Sequence, residues 1–540
     1  MLLTQLLARS RRDDGGFALA AVLGVMLVVA LLSVTVLTVS VSATAFSTST
    51  RASVQSRAAA QAGIDAVRAA MASGACTAVG TTTAVGTTGT YQASVYSQNG
   101  STWVLGCPTS AMQQVRVVST GTAATKGVQG ATSGDTATMA AVLTPTVAFS
   151  PSGPAVYSYR MGSTGLSASG TITSFDGSVA DVMVRTGDVP CTGAASNLVA
   201  RLDVANGSVS LGNSCKVGGN VFASGSLSVT GNATVGGSVV ASSIAMTGGT
   251  ISGSAWSAGG VSMTGGGNTV SGNLTAGSLT FSRGGLVSGS AWVTGTTTAD
   301  FGASIRGNLT TKALTGSNSA GLVSGTVSVQ PSGVGPSPWA APAAPSVPNW
   351  LDFGYNAADW SGYTVQTLGG TTCGATQLNA ALAAIGSAKG VIDARGCSAG
   401  VDPGSFGTLS LANNVAIIAN KFTFGGSAGF AASTAVKLWL ITPDTVADGL
   451  PTCPTGGGFA LSGGFTFAST VTTMIYSPCS VDLGSGNTVY GQVWAGQVST
   501  SGSAALKYVP TGLPGVDLST GSVLPAYSAR SLSSLGQVSG

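Results

Sequence analysis

One uncharged apolar stretch constrains this chain more than any other feature of its sequence. No charged residue occurs between Asp14 and Arg51, and Phe17 to Val41 supplies 25 consecutive residues that are mostly Ala, Val, Leu and Met. An α-helix rises about 1.5 Å per residue, so this run can cross a hydrocarbon core of about 30 Å with some tilt. The sequence therefore predicts a membrane-spanning helix.

The competing interpretation of this stretch is a cleaved secretory signal peptide. The apolar core of such a peptide has about 7 to 15 residues, which is shorter than this run. Arg9, Arg11 and Arg12 precede the span, whereas the first charges after it, Arg51 and Arg57, lie several residues beyond the predicted membrane edge. By the positive-inside rule we expect a single-pass protein with a cytoplasmic N-terminus and an exported C-terminal region.

The composition restricts the chemistry available to the exported part. Among 540 residues there are 80 Gly, 21 Lys or Arg and 17 acidic residues, all of them Asp, with no His and no Glu. A net charge of +4 over this length indicates neither nucleic-acid binding nor a polybasic membrane patch. Gly, Ser and Thr enrichment also occurs in disordered tails, but 44% hydrophobic residues and regularly placed Val, Leu and Ile favour packed strands.

The cysteines fall along the sequence as four local couples. These are Cys76 with Cys107, Cys191 with Cys215, Cys373 with Cys397, and Cys453 with Cys479. The chain has no CxxC motif and no His, so we expect no zinc site. Export makes disulfides the natural state, and neighbour pairing would close loops of about 25 to 30 residues. Eight cysteines nevertheless allow about 105 connectivities, so the pairing stays open at this point.

The N-terminal leader carries a resemblance to a known family. The leader MLLTQLLARSRRDDGG ends in Gly15-Gly16 before Phe17 and the apolar span, and in this it resembles a type IV prepilin. The resemblance implies that a prepilin peptidase cuts after Gly16 and methylates the new N-terminal Phe17. It also implies a lipid-bilayer anchor and, as partners, other pilins or pilus assembly proteins. Major pilins mostly carry glutamate at the fifth mature position, which is Ala21 here; this favours a minor pilin or a PilX-like assembly protein.

The sequence after the span predicts a helix and then a small strand domain. Residues 17–75 keep helix-compatible residues, and AAAQAGIDAVRAA, Ala58 to Ala70, resembles a stretch common in PilX-like proteins, although an ordinary alanine-rich helix is the alternative. Residues 76–150 contain four segments in which apolar and polar residues alternate, as they do in half-buried antiparallel strands. We expect a small pilin-like α+β head, but any small sheet packed on a helix would show similar alternation.

A glycine-rich repeat occupies residues 155–330. Six repeat units start at Gly219, Gly237, Gly253, Gly272, Gly289 and Gly307, at intervals of 18, 16, 19, 17 and 18 residues. A period near 18 with glycine at fixed corners predicts a β-helix, or solenoid, in which each unit is one coil. The alternative is a β-sandwich with glycine-rich turns. The Gly-Asn pairs at Gly231-Asn232, Gly272-Asn273 and Gly307-Asn308 are interpreted as turn residues that stack in ladders.

The remaining boundaries follow from composition. Residues 331–349 hold six prolines and predict a semi-rigid linker or a packed surface crossing. Residues 350–540 form a C-terminal β-rich region with one predicted helix, QLNAALAAIGSA. Within it YGQVWAGQVSTSG, Tyr490 to Gly502, echoes the repeat, so the chain is expected to rejoin the solenoid there. The residues from about Ala526 are small and polar, which is typical of a loose terminus.

The residues available for catalysis are few. No carboxylate occurs between Asp203 and Asp300, whereas glycoside hydrolysis needs two carboxyl groups facing each other across the sugar. No Ser-His-Asp triad can form without His, and the cysteines have no base partner. The remaining aspartates are interpreted as turn and cap residues, namely Asp176, Asp181, Asp188, Asp352, Asp359 and Asp393. We therefore predict no enzyme, no catalytic residue, no metal and no cofactor.

Three tryptophans recur at related places in their repeats. Trp256, Trp292 and Trp494 are hypothesised to form an exposed aromatic line that stacks on a surface polysaccharide or on another protein. The alternative is that they fill the interior of the coils.

The predicted fold class is mainly β. It comprises a leader at residues 1–16, a transmembrane α-helix, the small head, the β-helix and the C-terminal β-rich region. The expected role is that of a membrane-anchored, exported minor pilin-like protein in pilus assembly or on the cell surface. The first alternative is a permanently tethered solenoid scaffold or adhesin. A carbohydrate-active enzyme is a further alternative, which would require a carboxylate pair within about 10 Å.

Overall fold

The chain forms two compact units. The computed structural model describes residues 14–87, 89–99, 102–109, 114–128, 134–145, 153–166, 170–192, 197–198, 201–317, 321–360, 362–404, 406–523 and 530–537. It is mainly β, with one long apolar N-terminal helix and parallel sheets, which confirms the broad fold class predicted from the sequence. One unit comprises Met1–Thr146 with Pro525–Gly540, and the other comprises Val147–Leu524.

The first unit is built on the long helix α1, Asp14–Ala72. Its 59 residues correspond to a length of about 88 Å. Residues 18–44 are exposed throughout, whereas Ala52, Ala59 and Ile64 in the later half are buried. The apolar half of α1 therefore stands free, and its polar, alanine-rich half packs against the sheet of the same unit.

The sheet of this unit is antiparallel and has six strands. In chain order they are β1 (Thr83–Val85), β2 (Gly89–Asn99), β3 (Thr102–Leu105), β4 (Val115–Ala123), β5 (Thr136–Pro145) and, from the far end of the chain, β44 (Arg530–Gln537). The order in the sheet is β1-β2-β4-β5-β44, with β3 beside β2. The helix approaches so closely that a Cβ on Gly121 would lie 2.1 Å from the backbone oxygen of Ser56. Ile64 and Met71 of α1 form the core together with alanine, valine and leucine side chains of β2, β4 and β5.

The C-terminal strand differs from the sequence prediction. The expectation of a loose terminus and of a single C-terminal region over residues 350–540 is wrong for strand β44, which pairs antiparallel with β5 from Arg530↔Pro145 to Gln537↔Met139. The side chains from Leu532 to Gln537 are all exposed. Backbone pairing to a distant strand therefore orders this segment, and no buried apolar pattern marks it in the sequence.

The second unit contains a long stack of parallel strands, here called the strand stack, which includes β6 to β41. The first run is β6 (Val156–Leu166), β7 (Thr171–Ser174), β8 (Val182–Thr186), β9 (Val189–Cys191), β10 (Asn197–Leu198), β11 (Leu202–Val204), β12 (Val209–Leu211), β13 (Lys216–Val217), β14 (Val221–Ala223), β15 (Ser226–Val229), β16 (Ala233–Val235), β17 (Val239–Ala241), β18 (Ser243–Met246), β19 (Gly249–Ile251), β20 (Ala255–Ser257), β21 (Gly260–Thr264), β22 (Asn268–Val270), β23 (Leu274–Ala276), β24 (Ser278–Ser282), β25 (Leu286–Val287), β26 (Ala291–Ala299), β27 (Ser304–Ile305), β28 (Leu309–Thr315) and β29 (Val327–Val329).

The second run follows a crossing segment without regular structure. Its strands are β30 (Thr364–Gly370), β31 (Gly390–Cys397), β32 (Phe406–Ser410), β33 (Val415–Ile418), β34 (Lys421–Phe424), β35 (Ser427–Ala431), β36 (Val436–Ile441), β37 (Gly458–Leu461), β38 (Thr466–Phe467), β39 (Val471–Leu483), β40 (Thr488–Thr500) and β41 (Ala505–Tyr508). A short 3-10 helix, Ala357–Trp360, precedes β30, and helix α2, Ala375–Ile385, lies between β30 and β31. A small antiparallel pair, β42 (Val516–Asp517) and β43 (Ser522–Val523), follows β41.

From β7 to β23, each strand of the first run pairs in parallel with the strand three places further along the chain. Along one column the partners are Val221↔Val239, Val239↔Ala255, Ala255↔Leu274, Leu274↔Ala291 and Ala291↔Leu309. These offsets are 18, 16, 19, 17 and 18 residues, the same intervals as between the repeat starts in the sequence. Alternate residues point inward, so Val, Leu, Ile and Met of successive strands form one continuous interior core.

The two runs join in an order that differs from the order of the chain. The last long strand of the second run, β40, pairs with β6, for example Val493↔Val156, and β41 pairs with β7. The chain therefore enters the stack in its middle, proceeds to β29 at one end, crosses to β30 at the other end and returns to the middle. The segment from Tyr490 to Gly502 joins the stack at this junction.

All eight cysteines form disulfides between sequence neighbours. The pairs are Cys76–Cys107, Cys191–Cys215, Cys373–Cys397 and Cys453–Cys479. The first lies in the helix–sheet unit and the others in the strand stack. Together with the apolar helix, they indicate an oxidising, exported environment for these units.

Candidate functional site

The predicted processing site lies at the start of α1. The leader up to residue 13 is outside the described residues, and the described helix begins at Asp14, so Gly16 and Phe17 lie in its first turn. The following residues form a helix with a mean hydropathy of 2.8 over its most apolar window, none of which is buried in the protein. A helix of this length and polarity is able to span a membrane.

The three tryptophans singled out in the sequence belong to one outward-facing row of the strand stack. We call this row the outward ladder. In order of parallel pairing its members are Trp494, Tyr157, Met183, Asp203, Phe222, Val240, Trp256, Thr275 and Trp292. The residues on either side of Val240, Val239 and Ala241, point into the interior core. The three tryptophans therefore do occupy equivalent positions in the strand register. They do not point into the interior core, which was the alternative interpretation.

The hypothesis of an exposed aromatic line is wrong for Trp494. This side chain is 1% exposed, and its ring stacks on Tyr157 with centroids 3.8 Å apart and planes 10° apart. Trp256 and Trp292 are half-buried. The cause is a segment that the sequence analysis treated separately: residues 331–350, here called the return segment, run along the outward ladder and cover it.

The return segment is held by side chains of the outward ladder and its neighbours. The indole N–H of Trp292 donates to the carbonyl of Gly335 at 2.9 Å, and that of Trp256 donates to the carbonyl of Trp339 at 3.4 Å. Further along, the hydroxyl of Tyr157 donates to the carbonyl of Pro348 at 3.0 Å. The proline-rich stretch is therefore a packed surface crossing, the second of the two interpretations of its composition. Sequence reasoning missed that this crossing and the tryptophans contact each other.

A charged cluster lies beneath one part of the return segment. The guanidinium of Arg201 donates to Asp203 at 2.8 Å and to Asp181 at 2.6 Å. The side chain of Asp203 is 1% exposed and that of Asp181 is 15% exposed. One oxygen of each carboxylate is buried without a hydrogen-bond partner among the described residues. Burial raises the pKa of Asp203 to about 6 and also raises that of Asp181, although Arg201 opposes both shifts.

Asp181 and Asp203 both contact Arg201, so their carboxyl groups lie within the separation of about 10 Å expected of a glycosidase pair. Asp203, however, is not accessible to a substrate. A carboxyl group whose pKa is raised is suited to general acid catalysis only if a substrate reaches it. Asp203 is covered, and both carboxylates contact the same guanidinium. Four of the other aspartates occupy turns or surface pairs: Asp176 accepts from Ser178, Asp188 from Ser208, Asp352 from Gly449 and Asp393 from Arg395. Asp444 is buried away from this cluster and accepts from the indole N–H of Trp350 and the backbone N–H of Thr452. In the part of the chain that the structure describes, no group of three potential metal ligands occurs.

The buried carboxyl of Asp203 leads to a pH prediction. Between about pH 4 and 6 the folded state keeps a proton that the unfolded state has already released, so this group makes stability fall as pH rises through that window. Asp203→Asn removes the titration. We expect the variant to lose this decline and to gain about 1 to 3 kcal/mol over the wild type between pH 4 and pH 7.5. Urea unfolding at a series of pH values measures the effect.

A matched control for this prediction is Asp393→Asn. Its side-chain hydrogen bonds with Arg395 lower the pKa of Asp393, so the stability it contributes is lost only as pH falls below the ordinary range of an aspartate. The decline between pH 4 and 6 should persist in this variant. An unchanged decline in Asp203→Asn would contradict the assignment to Asp203.

Comparisons with models of known protein families, with curated proteins and with solved structures found no match. The interpretation of the two units therefore depends on their own geometry.

Proposed function

We propose that this chain is a membrane-anchored, exported protein of the type IV prepilin kind, acting as a minor pilin-like component in pilus assembly or at the cell surface. One observation carries the proposal. A single helix, α1, has an exposed apolar half of membrane-spanning length and continues without a break into a half that packs on an antiparallel sheet. This is the arrangement expected of a subunit that anchors a small α+β head at a bilayer.

The sheet and the helix supply the contacts that such a head requires. Ile64 and Met71 of α1 pack with Val95, Val117 and Leu143 of the central strands. A Cβ on Gly63 would lie 2.2 Å from the Ser119 hydroxyl oxygen, so the glycine permits close approach of helix and sheet. We interpret this unit as a pilin-like head whose sheet is completed by the C-terminal strand.

We interpret the strand stack as a β-helix of about three strands per coil. The parallel offsets near 18 residues and the continuous interior core support this interpretation. An exported β-helix with few charges suits a structural or adhesive role, with a surface polysaccharide or another pilus protein as partner. Since the buried Asp203 and Asp181 are the carboxylates that meet at one guanidinium, the geometry favours a non-catalytic role.

The first experiment identifies the N-terminus of the protein extracted from membranes. We expect mass spectrometry of the N-terminal peptide to find N-methylated Phe17, because Gly16 precedes the apolar run as in a prepilin. Gly16→Leu serves as the control and should retain the leader. An unprocessed Met1 in the wild type would contradict the prepilin proposal.

That result also separates the proposal from its alternative. A permanently tethered solenoid scaffold would keep its leader and would remain in the membrane fraction when pili are sheared off. A pilus component would be processed and would co-purify with sheared pili. Processing without co-purification would favour a role in assembly at the membrane.

A further inference from the structure

In the C-terminal part of the return segment, from Trp339 to Pro348, exposure has a period of three residues. Trp339, Pro342, Pro345 and Pro348 are half-buried or buried, whereas the residues between them up to 346 are exposed. The polyproline II helix has three residues per turn, so every third residue lies on the same face. The spacing and the burial together indicate that this segment docks on the stack as a polyproline-type helix with one proline face inward.

The strand stack contacts this segment through side chains rather than through a strand ladder. No strand is assigned to residues 330–356, all of which the structure describes. The indole donors of Trp292 and Trp256 point at backbone carbonyls of the segment, and the Thr275 hydroxyl lies 3.0 Å from that of Ser337. Aromatic rings that pack on prolines and donate to peptide carbonyls are the means by which proline-rich peptides are recognised in general.

The two ends of the return segment are held to different degrees. Val347 and Trp350 are buried in a cluster, separate from the interior core, that includes Tyr157 and Trp494 of the outward ladder. There the Trp350 indole donates to Asp444 at 2.8 Å. From 331 to 346 every residue is exposed or half-buried. A cavity of about 430 Å³ lies beneath residues 344–347, lined on the stack side by Phe222 and Val240 among others. Residues 331–346 are therefore less buried than residues 347–350, which anchor the segment.

The ligand class follows from the chemistry of the uncovered surface. The outward ladder from Val240 to Trp292 carries two indoles, one valine and one threonine, and no charge. It offers N–H donors for peptide carbonyls and flat apolar faces for an extended chain. A neutral, extended, proline-rich peptide satisfies these groups: the return segment presents the carbonyls of Gly335 and Trp339 to the indoles, while Pro336 and Pro338 between them face solvent and keep the chain extended.

We propose that the outward ladder between Val240 and Trp292 is a binding groove for proline-rich peptides of partner proteins, and that residues 331–346 occupy it in the isolated chain. The tethered segment acts at a high effective concentration, on the order of millimolar for a short connection, so a weak free peptide does not displace it. The groove becomes free when the return segment dissociates from it. A partner that carries several proline-rich repeats would displace the segment. This inference is independent of the anchoring role proposed above.

The direct test uses a variant in which the return segment has lost the prolines and the tryptophan that hold it in the groove. In P336S/P338S/W339S/P342S/P345S the segment keeps its length and its anchored residues. The probe is a labelled synthetic peptide with the sequence of residues 333–346, GVGPSPWAAPAAPS, and binding is followed by fluorescence anisotropy. We expect the variant to bind the peptide at least about tenfold more tightly than the full-length wild type. A control peptide with serine in place of each proline should bind neither protein.

A second substitution tests the indole contact. Adding Trp292→Phe keeps an aromatic ring but removes the N–H, and should weaken peptide binding about 3- to 10-fold. Trp103→Phe, in the helix–sheet unit, is the matched control and should leave binding unchanged. Absence of binding to the variant, equal binding of the serine peptide, or no effect of Trp292→Phe would each overturn the proposal.

A measurement on the otherwise wild-type chain covers the case in which the multiple variant does not fold. Trp292→Phe alone should speed elastase cleavage at the alanines of residues 340–344 about threefold or more, because the segment is released more often. Trp103→Phe should leave the cleavage rate unchanged. Equal cleavage of the wild type and Trp292→Phe would overturn the proposal even without the peptide data.

Discussion

Replacing Gly272 with valine should destabilise the strand stack by about 3 to 5 kcal/mol. A Cβ at this glycine would lie 2.4 Å from the Ser254 hydroxyl oxygen and 2.7 Å from the Gly253 carbonyl oxygen, and neither contact is possible without moving the previous coil. The Gly272 N–H also donates to the Gly253 carbonyl at 2.9 Å, so any displacement lengthens a backbone bond between coils.

The damage would extend along the stack, because the residue after each corner glycine joins neighbouring coils. The Asn273 N–H donates to the Ser254 hydroxyl at 3.0 Å, and the Ser290 N–H donates to the Asn273 side-chain oxygen at 2.9 Å. A shift at Gly272 therefore breaks hydrogen bonds of half-buried groups on both sides, each contributing about 1 kcal/mol.

The matched control is Gly266→Ala in the turn that precedes Gly272. The nearest heavy atom to its added Cβ is the Arg283 carbonyl oxygen at 4.0 Å, so the methyl group meets open space. We expect its unfolding free energy to stay within about 0.5 kcal/mol of the wild type. Thermal and urea unfolding followed by circular dichroism of the detergent-extracted protein measures both variants. A wild-type transition for Gly272→Val would contradict the stacked register.

The features that the sequence predicts best are those that depend on neighbours within one repeat. The intervals between Gly219 and Gly307 reappear as the offsets between paired strands, because each repeat pairs in parallel with the repeat before it and keeps its own length. One of the alternating segments predicted within residues 76–150 likewise contains a strand, β4, whose residues are alternately buried. A periodic pattern specifies local structure and the face that is buried.

The features that sequence reasoning missed all depend on distant contacts. Strand β44 pairs with residues almost 400 positions earlier, and its exposed side chains give no apolar pattern. The indoles of Trp256 and Trp292 point outward, as an exposed aromatic line requires, but a segment more than 40 residues later covers them. The three-residue spacing of Pro342, Pro345 and Pro348 was the available signal for that cover, since it marks one face of a polyproline helix.

The buried ion cluster shows the same limit. Asp203 occupies a place in its repeat where the next coils carry Phe222 and Val240, so the pattern marks it only as an unusual charge at an outward position. Its burial comes from the return segment, and its partner Arg201 also reaches Asp181 from the preceding coil. The pKa of such a carboxyl depends on this covering and is not readable from the sequence.

Removing the disulfide between Cys76 and Cys107 should destabilise the helix–sheet unit by about 3 to 4 kcal/mol. The bond closes a loop with a sequence separation of 31 residues, and its loss restores that freedom to the unfolded chain. It also ties the end of α1 to the segment after β3, a strand that pairs only with β2. The apolar cluster between helix and sheet comprises only eight buried residues in the described part of this unit, so its packing compensates little for the lost bond.

The substitutions Cys76→Ala and Cys107→Ala together should therefore abolish slow hydrogen exchange in β2, β4 and β5 while leaving the strand stack protected. Cys453→Ala with Cys479→Ala is the matched control, since its separation of 26 residues is similar but its bond lies in the stack. That variant should lose protection from hydrogen exchange near residues 453–479 and keep it in the helix–sheet unit. Unchanged protection of β4 in the first variant would contradict this role, because the sheet would then be held by packing against α1 alone.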